Sequence, residues 1–371
     1  MKIAINALTL RKGGTLVVLN KLLTGFVEIA PENEYHVLAN LATPPALEGN
    51  PQVKYHHFYW TSGSYSRVAF WYVAVLPLWL RRHKIDVLFS QICYLPPFTR
   101  RRSVLLLQDA KFFYNSKELR KRLTVSERFN LWLKKRWTYH SVGAANRILV
   151  QSDTMARSVI AKVPSARDRV STVHHGPGIL NGQPRPAYRA GPSDTFEIAY
   201  VAIYRGYKNF EVLLRALRLL DDEGVPARLH LTLDVIDNPG ARAVMAYARK
   251  IGVEHAVVNH GELAPERVAE VYLAARVFVF PSVCESFGFP QVEAMAFGLP
   301  ILAADTAINR EICNQAAIYF DPDDEHLLAA QLRRLYKNPA ELSALSERSA
   351  RRGRDFGWTG AAAETLKWLK A

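Results

Sequence analysis

Cysteine is scarce in this chain of 371 residues, which holds only Cys93, Cys284 and Cys313. The number is odd and no two stand in C-x-x-C spacing, which argues against a disulfide framework and points to a reducing compartment. Long hydrophobic runs are missing as well. The most apolar stretch, Val68 to Leu80, is too short to span a bilayer and is interrupted by Pro77. The N-terminus, Met1-Lys2-Ile3-Ala4-Ile5-Asn6-Ala7-Leu8, has no basic region ahead of a long apolar core and reads as a first strand rather than a signal peptide. Helix-turn-helix, zinc and RNA-binding patterns are missing, so no nucleic acid is expected as a partner. Metal-ligand spacing is lacking too. His56-His57 and His174-His175 are adjacent pairs that point to opposite faces of a strand. Asp321-Pro322-Asp323-Asp324 stands where a helix begins and reads as a cap, so no metal site is expected.

What is present is a globular composition, 49% hydrophobic and 22% charged, with length for two domains of ordinary size. Strand-like runs at Lys2-Leu8, Tyr35-Ala39, Val53-Phe58, Val87-Ser90, Val104-Gln108, Ile148-Gln151 and Val170-His174 alternate with helical patterns. A second series repeats the alternation at Glu197-Ile203, Leu229-Val235, Val257-Asn259, Val277-Phe280, Ile301-Ala303 and Ile318-Phe320. Such alternation builds parallel sheets with crossover helices, so the fold class is α/β, two doubly wound Rossmann-like domains. Between the series, Gly176 to Ser193 is rich in Gly and Pro. That linker signal places the boundary near residue 185, giving domains 1–184 and 185–355 and a C-terminal helix at 356–371.

Acidic residues are short in the first half. Residues 1–183 hold 26 Lys and Arg against 10 Asp and Glu, a net of +16, and the remainder holds 22 against 24, a net of −2. Basic clusters stand at Arg81-Arg82-His83-Lys84, Arg100-Arg101-Arg102, Lys117 to Arg122 and Lys134-Lys135-Arg136. One-sided charge implies an anionic partner, here an anionic membrane surface or a phosphate-bearing lipid acceptor. Aromatic residues at Tyr55 to Trp60, Phe70-Trp71-Tyr72 and Trp79 stand beside these cations, the composition of an interfacial membrane contact. The same residues also suit a buried helix, and the sequence leaves both readings open.

The segment richest in chemistry is Glu285-Ser286-Phe287-Gly288-Phe289-Pro290-Gln291-Val292-Glu293-Ala294. It follows the apolar run Val277-Phe278-Val279-Phe280, a buried strand, so Glu285 lies in a loop at a strand's carboxyl end. Gly288 allows close approach of backbone to a ligand, and Pro290 sets φ for the first turn of a helix that carries Glu293. A carboxylate accepts two charge-assisted hydrogen bonds from paired hydroxyls, so two on one loop can grip a nucleotide-sugar. Gly13-Gly14-Thr15 is either a phosphate-cradling loop or an ordinary strand-to-helix turn, since G-x-G-x-x-G spacing is missing.

Residues 285–300 resemble the signature of the retaining glycosyltransferases of family 4, E-x-F-G-x-P-x-x-E-A followed by G-x-P, without gaps. Tyr204-Arg205-Gly206-Tyr207-Lys208-Asn209 looks like the family's diphosphate-binding turn, and Asn309 to Ile312 and Ala317 to Pro322 are similar to its closing pattern. The likeness implies a GT-B architecture, two Rossmann-like domains facing across a cleft, with an acceptor-binding N-terminal and a nucleotide-sugar-binding C-terminal domain. It implies that Arg205 and Lys208 hold the diphosphate, Glu285 the donor sugar and Glu293 the ribose. Ser286, Phe287 and Gly288 then bind the donor through the backbone, Gly13 and Gly14 belong to the donor site, and Asp109 positions acceptor or sugar. Gln108 stands where the family has histidine, and glutamine carries no proton at neutral pH.

The reading is therefore a metal-independent retaining transferase with no cofactor. It moves a hexose-type sugar from a nucleotide-diphosphate sugar to a hydroxyl of a lipid-linked or saccharide acceptor, in polysaccharide or glycolipid assembly. Its expected place is cytoplasmic, peripheral on the inner face of the membrane. The alternatives are a nucleotide-sugar epimerase of the same architecture and a non-catalytic carbohydrate-binding protein.

Overall fold

The computed structural model describes residues 1–10, 13–40, 47–97, 101–114, 125–179 and 195–371. The expected boundary near residue 185, Arg100 and the cluster Lys117 to Arg122 lie outside them. Two compact units emerge, Met1–Gly176 together with Gly357–Ala371, and Pro177–Phe356.

The first unit is built on a seven-stranded sheet in the order β3-β2-β1-β4-β5-β6-β7, every pairing parallel. The strands are β1 Lys2–Asn6, β2 Glu34–Ala39, β3 Val53–His57, β4 Val87–Ser90, β5 Arg102–Leu107, β6 Arg147–Val150 and β7 Val170–Thr172. The second unit carries six parallel strands in the order β10-β9-β8-β11-β12-β13. Its strands are β8 Phe196–Tyr200, β9 Ala227–Leu231, β10 Val257–Asn259, β11 Val277–Phe280, β12 Ile301–Ala304 and β13 Ala317–Phe320. A parallel sheet covered by helices on both faces buries both faces of each strand, and all four residues of β11 are accordingly buried. In each unit the strand order reverses beside the first strand, between β1 and β4 and between β8 and β11. Loops leave such neighbours toward opposite faces and open a crevice beyond the carboxyl ends.

Residues 65–82 form one continuous helical segment in three parts: α1 Tyr65–Phe70, a π turn Trp71–Val75, and α2 Leu76–Arg82. Pro77 explains the middle part. Its ring presses on the carbonyl four residues back and it donates no hydrogen bond, so the turn before it widens, with Leu76 N–H donating to Trp71 O. The buried-helix alternative holds for one face of this segment only. Trp71, Tyr72, Leu76 and Leu80 are buried, while Tyr65, Phe70, Val73 and Leu78 are exposed. The buried face is pinned at the crevice, where Asn6 Nδ2 donates to Tyr72 Oη (2.9 Å) and to Ser90 Oγ (3.1 Å).

The final helix, α3 Trp358–Lys370, packs on α4 Gly14–Ile29, where Gly25 gives the room that Ala362 fills. Its last carbonyls are capped from the sheet: Arg102 donates to Trp368 O (3.0 Å) and Lys370 O (3.1 Å). Cations suit a helix C-terminus. The Arg102 guanidinium is thus engaged with the last turn of the chain.

Candidate functional site

In the second unit the crevice is formed by the loops after β8 and β11. The first runs through Arg205 into a 3-10 turn, Gly206–Lys208, closed by Asn209 with φ 54° and ψ 49°. Asparagine tolerates that left-handed conformation, and Asn209 Nδ2 donates to Pro322 O at 2.8 Å. Helix α5 Phe210–Asp222 follows, held to the sheet by buried Phe210, Leu213, Leu214, Leu217 and Leu220. The two loops are stitched together by Val283 N–H donating to Tyr207 O (3.0 Å), and Tyr200 Oη donates to Lys208 O (2.9 Å).

That stitching sets Lys208 Nζ 2.5 Å from Glu285 Oε1. Ser282 Oγ donates to the same oxygen at 2.5 Å, and the Lys208 ammonium lies 5.6 Å from the Phe280 ring centroid. Only 12% of each side chain of the pair is exposed, so its charges act with little screening. Arg205, in the same loop, is exposed and its guanidinium donates to Tyr204 O at 2.9 Å.

Gly288 sits at φ 87° and ψ 60°, where an L side chain is strained, and a Cβ there would meet Gln291 Nε2 at 2.5 Å. It caps α6 Phe289–Ala296, with Pro290 in the first turn. Phe287 is fully buried and packs against Phe289 and Phe356, so any ligand contact from Phe287 is through its backbone.

Glu293 faces inward and is 7% exposed. Its Oε2 accepts from Tyr272 Oη (3.0 Å) and its Oε1 from Gly178 N–H (3.2 Å). Burial pushes the Glu293 carboxyl up to about 7, and these two hydrogen bonds pull it back only in part. The structure therefore brings Lys208 and Glu285 into direct contact and sets Arg205, Ser286, Phe287 and Gly288 along the same two loops. It directs Glu293 into the core beneath them.

Gly13, Gly14 and Asp109 belong to the first unit. Gly13, at φ 73° and ψ −159°, is in a region open to glycine alone and starts α4, receiving Leu16 N–H at 3.1 Å. Asp109 accepts from Lys111 N (3.3 Å) and pairs with Lys111 Nζ (2.5 Å). Gln108 Nε2 donates to Gln91 O at 3.1 Å. Asp324 does cap a helix, Glu325–Lys337, accepting from Leu327 N–H at 2.8 Å. No cluster of His, Cys, Asp and Glu among the described residues has the makings of a metal site.

Two supporting residues escaped the sequence reading: Ser282 holds Glu285 and Tyr272 holds Glu293. Of the two, only Ser282 carried a signal, its place beside Pro281 at the end of a buried strand. Asn309, read in the sequence as part of the closing pattern, donates to Ser282 O (3.3 Å) and Ala304 O (2.9 Å), bracing the loop after β11.

Residues 189–352 match the family described as Glycosyl transferases group 1. The D-inositol 3-phosphate glycosyltransferase of Streptomyces avermitilis is 28% identical over 238 residues, which are 60% of this chain and 51% of that protein. The chain thus spans about half the length of the curated relatives it matches. Among solved structures, sucrose-phosphate synthase from Thermosynechococcus elongatus superposes with a TM-score of 0.79 at 16% identity, covering 100% of this chain and 98% of the other. The Anabaena protein HepE in complex with UDP-glucose gives a TM-score of 0.75 at 15% identity, covering 100% and 99%. These likenesses show the fold. Residues 189–352 of this chain are thus similar to the Glycosyl transferases group 1 family, within a two-domain α/β protein that shares the fold of these GT-B structures.

Proposed function

We propose that this protein is a retaining glycosyltransferase of family 4, moving a sugar from a nucleotide-diphosphate sugar to a hydroxyl of a lipid-linked or saccharide acceptor. The observation that carries this reading is the Lys208–Glu285 pair, 2.5 Å apart on the two loops that flank the strand-order reversal of the unit similar to the group 1 family. The bond from the anomeric carbon to a phosphate oxygen breaks, and the acceptor oxygen takes its place on the same face. The acceptor's proton passes to the departing phosphate oxygen. Negative charge gathers on the diphosphate, and Lys208 and Arg205 are positive groups set in advance where it gathers, each worth a few kcal/mol in a dry site. Glu285 orients sugar hydroxyls, with Oε1 already bonded to Lys208 and Ser282. Glu293 serves the ribose by exchanging its bond from Gly178 N–H for one from a hydroxyl, and Asp109 serves the acceptor.

The chemistry asked of these residues is positioning and charge neutralisation, so activity is expected to persist in excess chelator. No helix among the described residues is long and apolar enough to cross a membrane. The exposed Phe70, Val73 and Leu78, beside Arg67, Arg81 and Arg82, support a peripheral hold on an anionic leaflet, at the cytoplasmic face.

The test is release of nucleoside diphosphate across a panel of donors and acceptors, with EDTA in one arm. UDP-glucose is the first donor, since HepE holds it, and inositol 3-phosphate the first soluble acceptor, after the name of the curated relatives. Acceptor-dependent release with retained anomeric configuration is the expected result. No release with any pair that binds leaves a carbohydrate-binding protein, and interconversion of donor sugars without transfer leaves an epimerase.

A further inference from the structure

We infer that the first unit holds a site for an amphiphile: a sugar head at Asn40 and Asp109, and an apolar chain leaving past Tyr65 and Leu133. This rests on the transferase reading for its role, which is that of the acceptor, but its chemistry is independent of it.

A cavity of about 900 Å³ opens in this unit beyond the carboxyl ends of its strands, between α1 and α7 Val125–Ala144. That is near the upper end of small-molecule sites and larger than a single sugar ring needs. Asn40, Asp109, Tyr65, Val68, Leu133 and Trp137 are among the residues that line it.

Its polar end asks for hydroxyl donors. Asn40 is 8% exposed, its Nδ2 donates to Thr61 Oγ1 at 3.1 Å, and its Oδ1 is buried with no hydrogen-bond partner among the described residues. A buried acceptor without a donor is rare and marks a place where a ligand supplies one. The Asp109 carboxylate, steadied by Lys111, adds two more acceptor oxygens to the same cavity. A polyhydroxylated ring satisfies both, and its C–H face suits the aromatic wall that Trp137 provides.

The apolar end does not close. Tyr65 and Leu133 both line the cavity and remain 75% and 46% exposed. Phe129 and Trp132 continue the exposed apolar surface on α7, and Phe70 and Val73 continue it on the helix opposite. Cations stand on these rings: Lys134 Nζ lies 4.8 Å from the Tyr65 centroid and the Arg136 guanidinium 5.5 Å from that of Trp132. An apolar cavity continuous with an exposed aromatic rim bearing cations fits a molecule whose head enters the protein while its chain stays near an anionic interface.

The experiment is calorimetric titration of the full chain, without donor, with hexyl, octyl and decyl glucoside below their micelle concentrations, and with glucose and glucose 6-phosphate. Affinity is expected to rise at least tenfold from hexyl to decyl. Asn40→Ala should weaken every glucoside about tenfold and keep the chain-length slope, whereas Leu133→Glu and Tyr65→Ser, at exposed positions that do not threaten folding, should flatten it. A flat series with wild-type protein, or a slope unmoved in both rim variants, overturns the inference. So does glucose 6-phosphate binding tighter than decyl glucoside, which would make the cavity a phosphosugar site. Thermal shift with nucleoside diphosphates on the same samples separates the two readings. A nucleotide response with a flat glucoside series sinks the amphiphile site alone, and the expected series without nucleotide binding sinks the transferase.

Discussion

Lys208 and Glu285 stand 77 positions apart in sequence, yet Nζ and Oε1 meet at 2.5 Å with 12% of each side chain exposed. In the proposed reaction this pair is the resting state of the diphosphate site: the carboxylate holds the ammonium where a departing phosphate will need it. Removing one partner strands the other's charge in a poorly solvated place. Lys208→Ala should lower turnover by two to three orders of magnitude, roughly 3–4 kcal/mol of transition-state stabilisation, with unchanged far-UV circular dichroism. Arg205→Ala, at an exposed position, should lower turnover similarly with no loss of thermal stability. Near-normal turnover in a folded Lys208 variant would end the assignment.

Gly288 offers a test of backbone geometry. At φ 87°, with a Cβ-to-Gln291 approach of 2.5 Å, Gly288→Ala forces the loop to shift. The expected cost is about 1–2 kcal/mol in thermal or denaturant unfolding, together with weakened nucleotide binding. An unshifted melting curve would mean the loop adapts freely.

Glu293 makes stability depend on pH in a direction of its own. Its folded value, about 7, lies above the ordinary 4.5, so this group's contribution is fully present below pH 4.5 and is lost as pH rises through 7. Linkage makes the loss about 3 kcal/mol by pH 8. Glu293→Gln keeps an acceptor for Gly178 N–H, and Tyr272 Oη has Pro290 O at 3.3 Å as a second acceptor. The variant should therefore gain on wild type steadily between pH 5 and pH 8 in denaturant titrations. A constant difference across that range would contradict the raised value.

Arg102 and the exposed apolar residues of the first unit should behave oppositely. Arg102→Glu turns a carboxylate onto the terminal carbonyls of α3 and should cost about 2 kcal/mol in stability. Replacing Phe70, Val73 and Leu78 by Glu should instead leave stability nearly unchanged and abolish binding to acidic vesicles at low salt. Wild-type protein indifferent to such vesicles would refute the peripheral reading.

The sequence by itself determined the parallel α/β class, because apolar runs such as Val277–Phe280 occur only where both faces of a strand are covered. It also determined the loop that carries Glu285, through Gly288 and Pro290, whose backbone demands are local. The cap at Asp324 was legible for the same reason. Tertiary structure alone decided the contacts between distant segments: Ser282 and Lys208 on one oxygen of Glu285, Tyr272 on Glu293, and Arg102 on the last turn of the chain. It also decided that helix 65–82 is buried on one face and exposed on the other, since a widened turn before Pro77 shifts the phase of every later side chain. Local pattern specifies elements through propensity and period. Which charge meets which, and which apolar face is left uncovered, follows only from packing the elements together, and that is where the chemistry of this protein was set.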